Sequence, residues 1–154
     1  MKHLARALLL LPVCAMAALA ADPLLGTWKV IPESANYPAG GPPANVVLRY
    51  EATGVEGEVK FTLNGEMRGK PYTYSWTAKA DGKRYKPEGQ TSAQEVEFQR
   101  PEPNHAIAIH YREGQEIARH DATVSADGQV MTTRSHSRNR DGSTRDSEAQ
   151  YRKQ

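Results

Sequence analysis

Three evenly spaced glycines place the strongest constraint on the fold of this chain. Gly114, Gly128 and Gly142 lie 14 residues apart, and an Asp precedes the last two. An Asp-Gly pair is a strong signal for a tight turn between antiparallel strands. The strand-like runs beside these glycines are 105–112, 115–126, 129–140 and 143–152. Consecutive hairpins of equal length predict an up-and-down meander.

The first half of the chain shows the two-residue period of half-buried strands. The clearest alternation runs from Tyr72 to Ala80, with aromatic and alanine side chains on one face and polar side chains on the other. The segments 45–53 and 57–63 alternate in the same way. We place the next turn at 69–71, with a bulge near Gly65. We therefore expect an all-β protein, an antiparallel up-and-down β-barrel or curled meander of about 8–10 strands.

Two further stretches carry a resemblance to a known family. Gly26-Thr27-Trp28 precedes the first expected strand, and it resembles the Gly-x-Trp opening of the lipocalin-like (calycin) β-barrels. The stretch 124–132, with Gly142 and 151–154, is similar to small exported bacterial lipocalin-like domains of largely unknown function. The resemblance implies a lipocalin-like barrel in which Trp28 plugs one end.

The resemblance does not extend to the fatty-acid-binding branch of that superfamily. That branch holds its carboxylate ligand with an Arg-x-Tyr pair near the C-terminus. This chain has Tyr151 directly followed by Arg152, and neighbouring side chains on a strand point to opposite faces. A fatty-acid ligand is therefore not implied.

Residues 1–20 have the features of a secretory signal peptide. Lys2 and Arg6 form a basic start, an apolar stretch follows, and small residues allow cleavage after Ala20 or Ala21. We therefore expect a periplasmic or secreted protein. Lys2 and Arg6 also account for the whole excess of 20 basic over 18 acidic residues, so the remaining chain offers no basic surplus for nucleic acid.

The leader contains Cys14, the only cysteine. Val13 precedes it and apolar residues follow, which is not the pattern of a lipidated cysteine, so we do not expect a lipoprotein. The apolar run is interrupted by Pro12 and is too short for a membrane span, and we expect no transmembrane segment in the mature protein. Residues 21–154 then form a single domain without disulfides.

An aromatic row provides the candidate ligand-binding residues. Aromatic walls carrying a few hydroxyl groups are typical of small-molecule sites. Ordinary core packing is the alternative interpretation of the same residues. The row comprises Phe61, Tyr72, Tyr74, Trp76 and Tyr111.

His120 is the sixth candidate ligand-binding residue. It shares a strand face with Ala118, Ala122 and Val124, so an inward-pointing face would put the imidazole beside the ligand. In the alternative, Ile117 marks the inner face and His120 lies in solvent. The histidines after the leader are His105, His110, His120 and His136, and their spacing predicts no metal site.

A basic row and a long loop are the candidate interaction surfaces. The basic row comprises Arg134, His136, Arg138 and Arg140, which share one face of the strand expected at 129–140. The opposite face of that strand carries Thr and Met, which suit an interior better than arginines do. We therefore expect the basic row to face water. The loop at 32–43 contains four prolines and adjacent glycines; it is either a cover over a barrel end or a dedicated lid.

These features predict a non-catalytic binding protein for a small, moderately hydrophobic molecule, with no cofactor. Only 43 of the 134 residues after Ala20 are apolar (43/134, about 32 %), which argues against a large aliphatic cavity. The alternative is an envelope structural or interaction protein with a filled barrel that acts through its surface. A hydrolase or isomerase using His120 is a third hypothesis, but the chain has no nucleophile elbow, phosphate loop or zinc-protease motif.

Overall fold

The computed structural model describes residues 21–36 and 44–154. The predicted signal peptide and most of the 32–43 loop therefore lie outside the described residues. One short 3-10 turn occurs at Pro32–Ser34. The strands are β1 (Gly26–Val30), β2 (Ala44–Ala52), β3 (Glu58–Met67), β4 (Lys70–Lys79), β5 (Arg84–Tyr85), β6 (Glu88–Gly89), β7 (Glu95–Glu102), β8 (His105–Arg112), β9 (Gln115–Val124), β10 (Val130–Arg138) and β11 (Thr144–Lys153).

All eleven strands belong to one antiparallel sheet. Their order is β5-β7-β8-β9-β10-β11-β1-β2-β3-β4-β6, so the predicted all-β up-and-down meander is confirmed. Nine strands have five or more residues, and β5 and β6 have two each. The first and last long strands pair with each other, with Trp28 opposite Lys153. This pairing joins the two halves of the meander into one continuous surface.

The sheet curls into a half-barrel, and its two edges are brought near each other. The edge strands β5 and β6 are separated by only two residues, and the chain from Tyr85 to Glu88 spans at most about 11 Å. Side chains also meet across this seam, because the rings of Trp76 on β4 and Phe98 on β7 have centroids 5.1 Å apart. The short edges leave little backbone exposed for pairing with another chain.

The concave inner face carries the hydrophobic core. Alternation along the long strands places apolar side chains inward and polar ones outward, as one-sided burial requires. A chain of modest apolar content can therefore still form a well-packed interior. The largest fully buried side chains are Trp28, Phe98, Leu24, Met131, Val46, Val96 and Val124.

Trp28 lies at one end of the inner face and is fully buried. Its indole Nε1 donates a hydrogen bond to the carbonyl oxygen of Leu24 at 3.0 Å, and Nζ of Lys153 lies 5.0 Å from the ring centroid. Gly26 permits this approach: its φ is +133°, and a Cβ there would lie 2.9 Å from Cε of Lys153.

The turn after β3 falls at Arg68–Gly69, beside the predicted position. The bulge predicted near Gly65 lies on the neighbouring strand β2, opposite Gly65 of β3. Residues of β3 and β4 pair without interruption, whereas the register between β2 and β3 shifts between Ala44 and Val47. Asn45 on β2 has a φ of +54°. An asparagine tolerates this conformation better than most residues do, so the extra residue is accommodated there.

In the part of the chain that the structure describes, no helix is both long and apolar enough to cross a bilayer.

Candidate functional site

The inner face of the sheet is closed at one end and partly open at the other. At the closed end, where β2 meets β3 and β9 meets β10, Trp28, Val124 and Met131 are at most 1 % exposed. At the open end, where β3, β8 and β10 reach their following turns, Leu63 and Ala118 are only partly buried. The inner-face side chains at the open end are therefore more exposed than those at the closed end.

Stacked aromatic rings fill the middle of the concave face. The rings of Phe61 and Trp76 are stacked with centroids 5.1 Å apart, and Tyr50 lies 4.9 Å from Phe61. Phe61 and Trp76 are 8 % and 2 % exposed. These two side chains pack as core, and they form a floor beneath the open end.

A line of four polar side chains crosses the open end, and we call it the inner polar chain. Tyr74 Oη lies 2.8 Å from Nε2 of His110, and the His110 and His120 ring centroids are 4.6 Å apart. His120 Nδ1 lies 2.7 Å from Oγ of Ser135. These residues come from β4, β8, β9 and β10, so the line bridges the seam between the two halves of the sheet.

Burial keeps the inner polar chain uncharged near neutral pH. Desolvation lowers the pKa of His120 to about 4, an effect that the charge of Asp121 partly opposes. Desolvation and the neighbouring His120 hold the pKa of His110 well below its ordinary value. Burial also raises the pKa of Tyr74. The two imidazoles are therefore neutral, and the phenol is protonated.

Each imidazole bonds to one hydroxyl group, and a hydroxyl group can donate or accept. The Tyr74 hydroxyl bonds to Nε2 of His110, and the Ser135 hydroxyl bonds to Nδ1 of His120. Donation from both hydroxyls would place the ring protons on Nδ1 of His110 and Nε2 of His120. Each imidazole has one nitrogen that is not used within the inner polar chain.

The structure brings five of the six predicted ligand-binding residues onto the inner face. They are Phe61, Tyr72, Tyr74, Trp76 and His120. Tyr72 is partly buried near the open end. For His120, the interpretation that placed Ala118, Ala122 and Val124 on the inner face holds, and the alternative based on Ile117 is wrong.

Tyr111 is the exception, and its grouping with the aromatic row is wrong. It lies on the outer face, where its hydroxyl donates to Glu97 at 3.1 Å and the Arg84 guanidinium stands 3.6 Å from the ring centroid. The reason is the two-residue period of β8: His110 points inward, so Tyr111 points outward.

His110 is the inner-face residue that the sequence analysis missed. The inward positions of β8 are occupied by Ala106, Ala108 and His110, whereas the larger Ile107 and Ile109 lie on the other face. Ile109 is only 3 % exposed although it lies outside the main core. Because isoleucines are typical of an interior, the sequence favours their face of β8 as the inner one and gives no sign that His110 points inward.

The predicted basic row faces outward, as expected, and acidic residues of β11 compensate part of it. Arg134 Nε lies 2.7 Å from a carboxylate oxygen of Glu148, and His136 Nδ1 lies 2.6 Å from one of Asp146. A shallow cavity of about 330 Å³ is lined by these four side chains together with Arg119 and Asp121. Its opposite charges neutralise one another locally.

A second concavity of about 770 Å³ lies at the end where β2 meets β3, and its lining includes the inner-face residues Val59 and Phe98. Leu25, Val55 and Phe98 supply apolar walls, and Val55 is 51 % exposed. Arg100 at its edge forms two hydrogen bonds with the carboxylate of Asp22, at 3.0 and 3.2 Å. The arginine is therefore already paired, which leaves this depression mainly a shallow apolar surface.

Among the described residues, no group of three or more His, Cys, Asp or Glu side chains is arranged to hold a metal ion. No protein-family model matches the chain, and no curated protein matches it. The all-strand antiparallel half-barrel is compatible with a lipocalin-like fold.

Proposed function

We propose that this chain is an exported, non-catalytic binding protein of the lipocalin-like type for a small, moderately hydrophobic molecule. The observation that carries the proposal is the open end of the inner face. There Leu63 and Tyr72 offer partly exposed apolar surface next to Tyr74, whose hydroxyl bonds to His110. Apolar surface with a few fixed hydrogen-bonding groups is the usual composition of small-molecule sites. Export rests on the leader at 1–20.

Affinity in such a site comes mainly from apolar burial, at about 25 cal/mol per Å² before the entropic costs of association. The stacked Phe61 and Trp76 provide a rigid floor that does not have to reorganise when a ligand binds. The middle of the inner face is already filled, so the ligand is expected to be small.

Tryptophan fluorescence tests this proposal, since the two tryptophans lie in different places. In Trp28→Phe, the remaining Trp76 reports on the floor of the open end; in Trp76→Phe, the remaining Trp28 reports on the closed end. We expect apolar ligands to change the Trp76 signal and to leave the Trp28 signal nearly unchanged.

A matched pair of variants locates the site. Leu63→Asn places a polar group at the open end, whereas Val55→Asn does the same at the depression beside Phe98. We expect only Leu63→Asn to weaken binding. A broad ligand panel without any Trp76 response would overturn the proposal, and weakening by Val55→Asn alone would move the site to the depression.

The stacked aromatic core favours one second candidate, an interaction protein with a filled interior. This protein would act through its outer surface, such as the basic row. Recovery of partners from envelope extracts by the wild-type chain and by a charge-reversed variant tests it. The reversed positions are Arg134, Arg138 and Arg140. Retention of every partner by that variant would exclude the basic row as the contact surface.

A further inference from the structure

We propose that the unused ring nitrogens of His110 and His120 form an oxyanion-binding subsite, which holds the carboxylate of a small amphipathic ligand. This inference rests on the proposed function, and it specifies the chemical class of the ligand. The apolar part of such a molecule would lie against the partly exposed apolar surface near Leu63 and Tyr72.

The first support is the pairing of the two rings. Their centroids are 4.6 Å apart with the planes tilted by 54°. One nitrogen of each ring is occupied, Nε2 of His110 by Tyr74 and Nδ1 of His120 by Ser135. Nδ1 of His110 and Nε2 of His120 remain, and they belong to rings in direct contact. In the proposed subsite, the two oxygens of one carboxylate bond to these two nitrogens.

The second support is access. Both histidines are only partly buried. In the described residues, every buried side-chain nitrogen or oxygen has a hydrogen-bond partner. The two remaining ring nitrogens form none of the hydrogen bonds of the inner polar chain, so a ligand atom can bond to them without breaking that chain.

The third support is polarity. The subsite uses the tautomers in which the Tyr74 and Ser135 hydroxyls donate, so that each of these nitrogens carries a hydrogen and the pair presents two donors. Hydrogen bonds to an ionised acceptor are about twice as strong as those between neutral groups. The donor pair therefore favours a carboxylate over an amide or an ester of the same shape.

Among the described residues, the contacts of the two rings include no cation. Tyr74 contacts His110 from β4, Ser135 contacts His120 from β10, and the apolar Val96 lies beside His110 on β7. Asp121 acts on His120 from the outer face of β9. A bound carboxylate would favour a protonated imidazole, so binding should take up a proton. The contact between the rings disfavours a second proton, because two imidazolium charges would repel.

Isothermal titration with 3-phenylpropionate and its neutral analogue 3-phenylpropionamide tests the subsite. At about pH 6, we expect the carboxylate to bind about tenfold more tightly than the amide. Titration in two buffers of different ionisation enthalpy should show uptake of up to one proton for the carboxylate and none for the amide. The carboxylate affinity should fall as the pH rises to about 8.

Three variants complete the test, each checked for folding by its unfolding transition. His110→Asn and His120→Asn each remove one donor ring, and we expect each to weaken the carboxylate about tenfold with little effect on the amide. His136→Asn is the matched control, because His136 is an outer-face histidine that also contacts a carboxylate.

Equal affinities for the carboxylate and the amide would overturn the subsite. The subsite would also be overturned if His136→Asn and His120→Asn reduced the affinity for the carboxylate equally. Failure of both phenylpropionyl compounds while neutral apolar ligands still change Trp76 fluorescence would overturn the subsite and leave the proposed function standing. Loss of every response in the panel would overturn both.

Discussion

The inner polar chain should make the protein unusually sensitive to mild acid. His120 lies against His110 inside the curled sheet, and its Nδ1 is hydrogen-bonded to the Ser135 hydroxyl. Protonation of His120 would place a charge in this partly buried position. The perturbation that isolates this effect is His120→Asn, because asparagine keeps a polar atom near the position of Nδ1 but does not titrate.

The magnitude follows from linkage. Burial lowers the pKa of His120 from 6.5 to about 4 in the folded state. The unfolded state therefore binds more protons between these values, so stability is complete above the unfolded pKa and is lost as the pH falls towards the folded one. Between neutral pH and about pH 4.5, the full shift of this pKa lowers the free energy of unfolding by about 2.5 kcal/mol. Since water partly screens the ring, we expect about 1–2 kcal/mol.

Urea unfolding followed by tryptophan fluorescence measures this effect at about pH 7.5 and about pH 4.5. Carboxylates elsewhere also lose their charge in acid, so the informative quantity is the difference between variants. We expect His120→Asn to lose about 1–2 kcal/mol less than the wild type on acidification. The free energy of unfolding of the outer-face variant His136→Asn should fall on acidification by as much as that of the wild type. Equal acid losses in all three proteins would refute the reasoning.

Three further predictions concern stability and tautomers. Gly57→Ala should lower the free energy of unfolding by about 1 kcal/mol, because Gly57 has a φ of +71° although a Cβ there would meet no neighbour. Gly89→Ala should cost at least about 1 kcal/mol more, because its Cβ would lie 2.5 Å from the carbonyl oxygen of Thr73. Urea unfolding of the two variants measures the difference. Trp28→Phe should lower the free energy of unfolding by about 1–3 kcal/mol, since the Leu24 carbonyl loses its buried donor; thermal unfolding checks this. Tyr74→Phe should cost about 1 kcal/mol and release the tautomer preference of His110, which ¹⁵N NMR of the imidazole detects.

The strand pattern could be predicted from the sequence to a large extent. The segments 105–112, 115–126, 129–140 and 143–152 correspond to four consecutive strands whose observed ends differ by at most two residues. Local chemistry is sufficient there, because glycine turns and two-residue alternation act over short distances. The bulge could not be located in the same way, since it depends on how β2 is paired with β3.

The candidate site could be predicted only in part. Tyr72, Tyr74 and Trp76 share a face by simple alternation, and the structure places that face inside. The grouping of Tyr111 with that face is wrong, and His110 was not recognised as part of it. The larger isoleucines of β8 lie on the face of Tyr111, so local sequence favours the wrong face as the interior.

The sequence by itself determined the antiparallel strands, their turns and the polar or apolar character of each strand face. Only the tertiary structure decided that β4 meets β8 across a seam and that Tyr74, His110, His120 and Ser135 therefore form one line. The physical reason is that side-chain alternation is a property of neighbouring residues. The curl of the sheet, in contrast, results from the pairing of distant strands and from packing across the whole inner face.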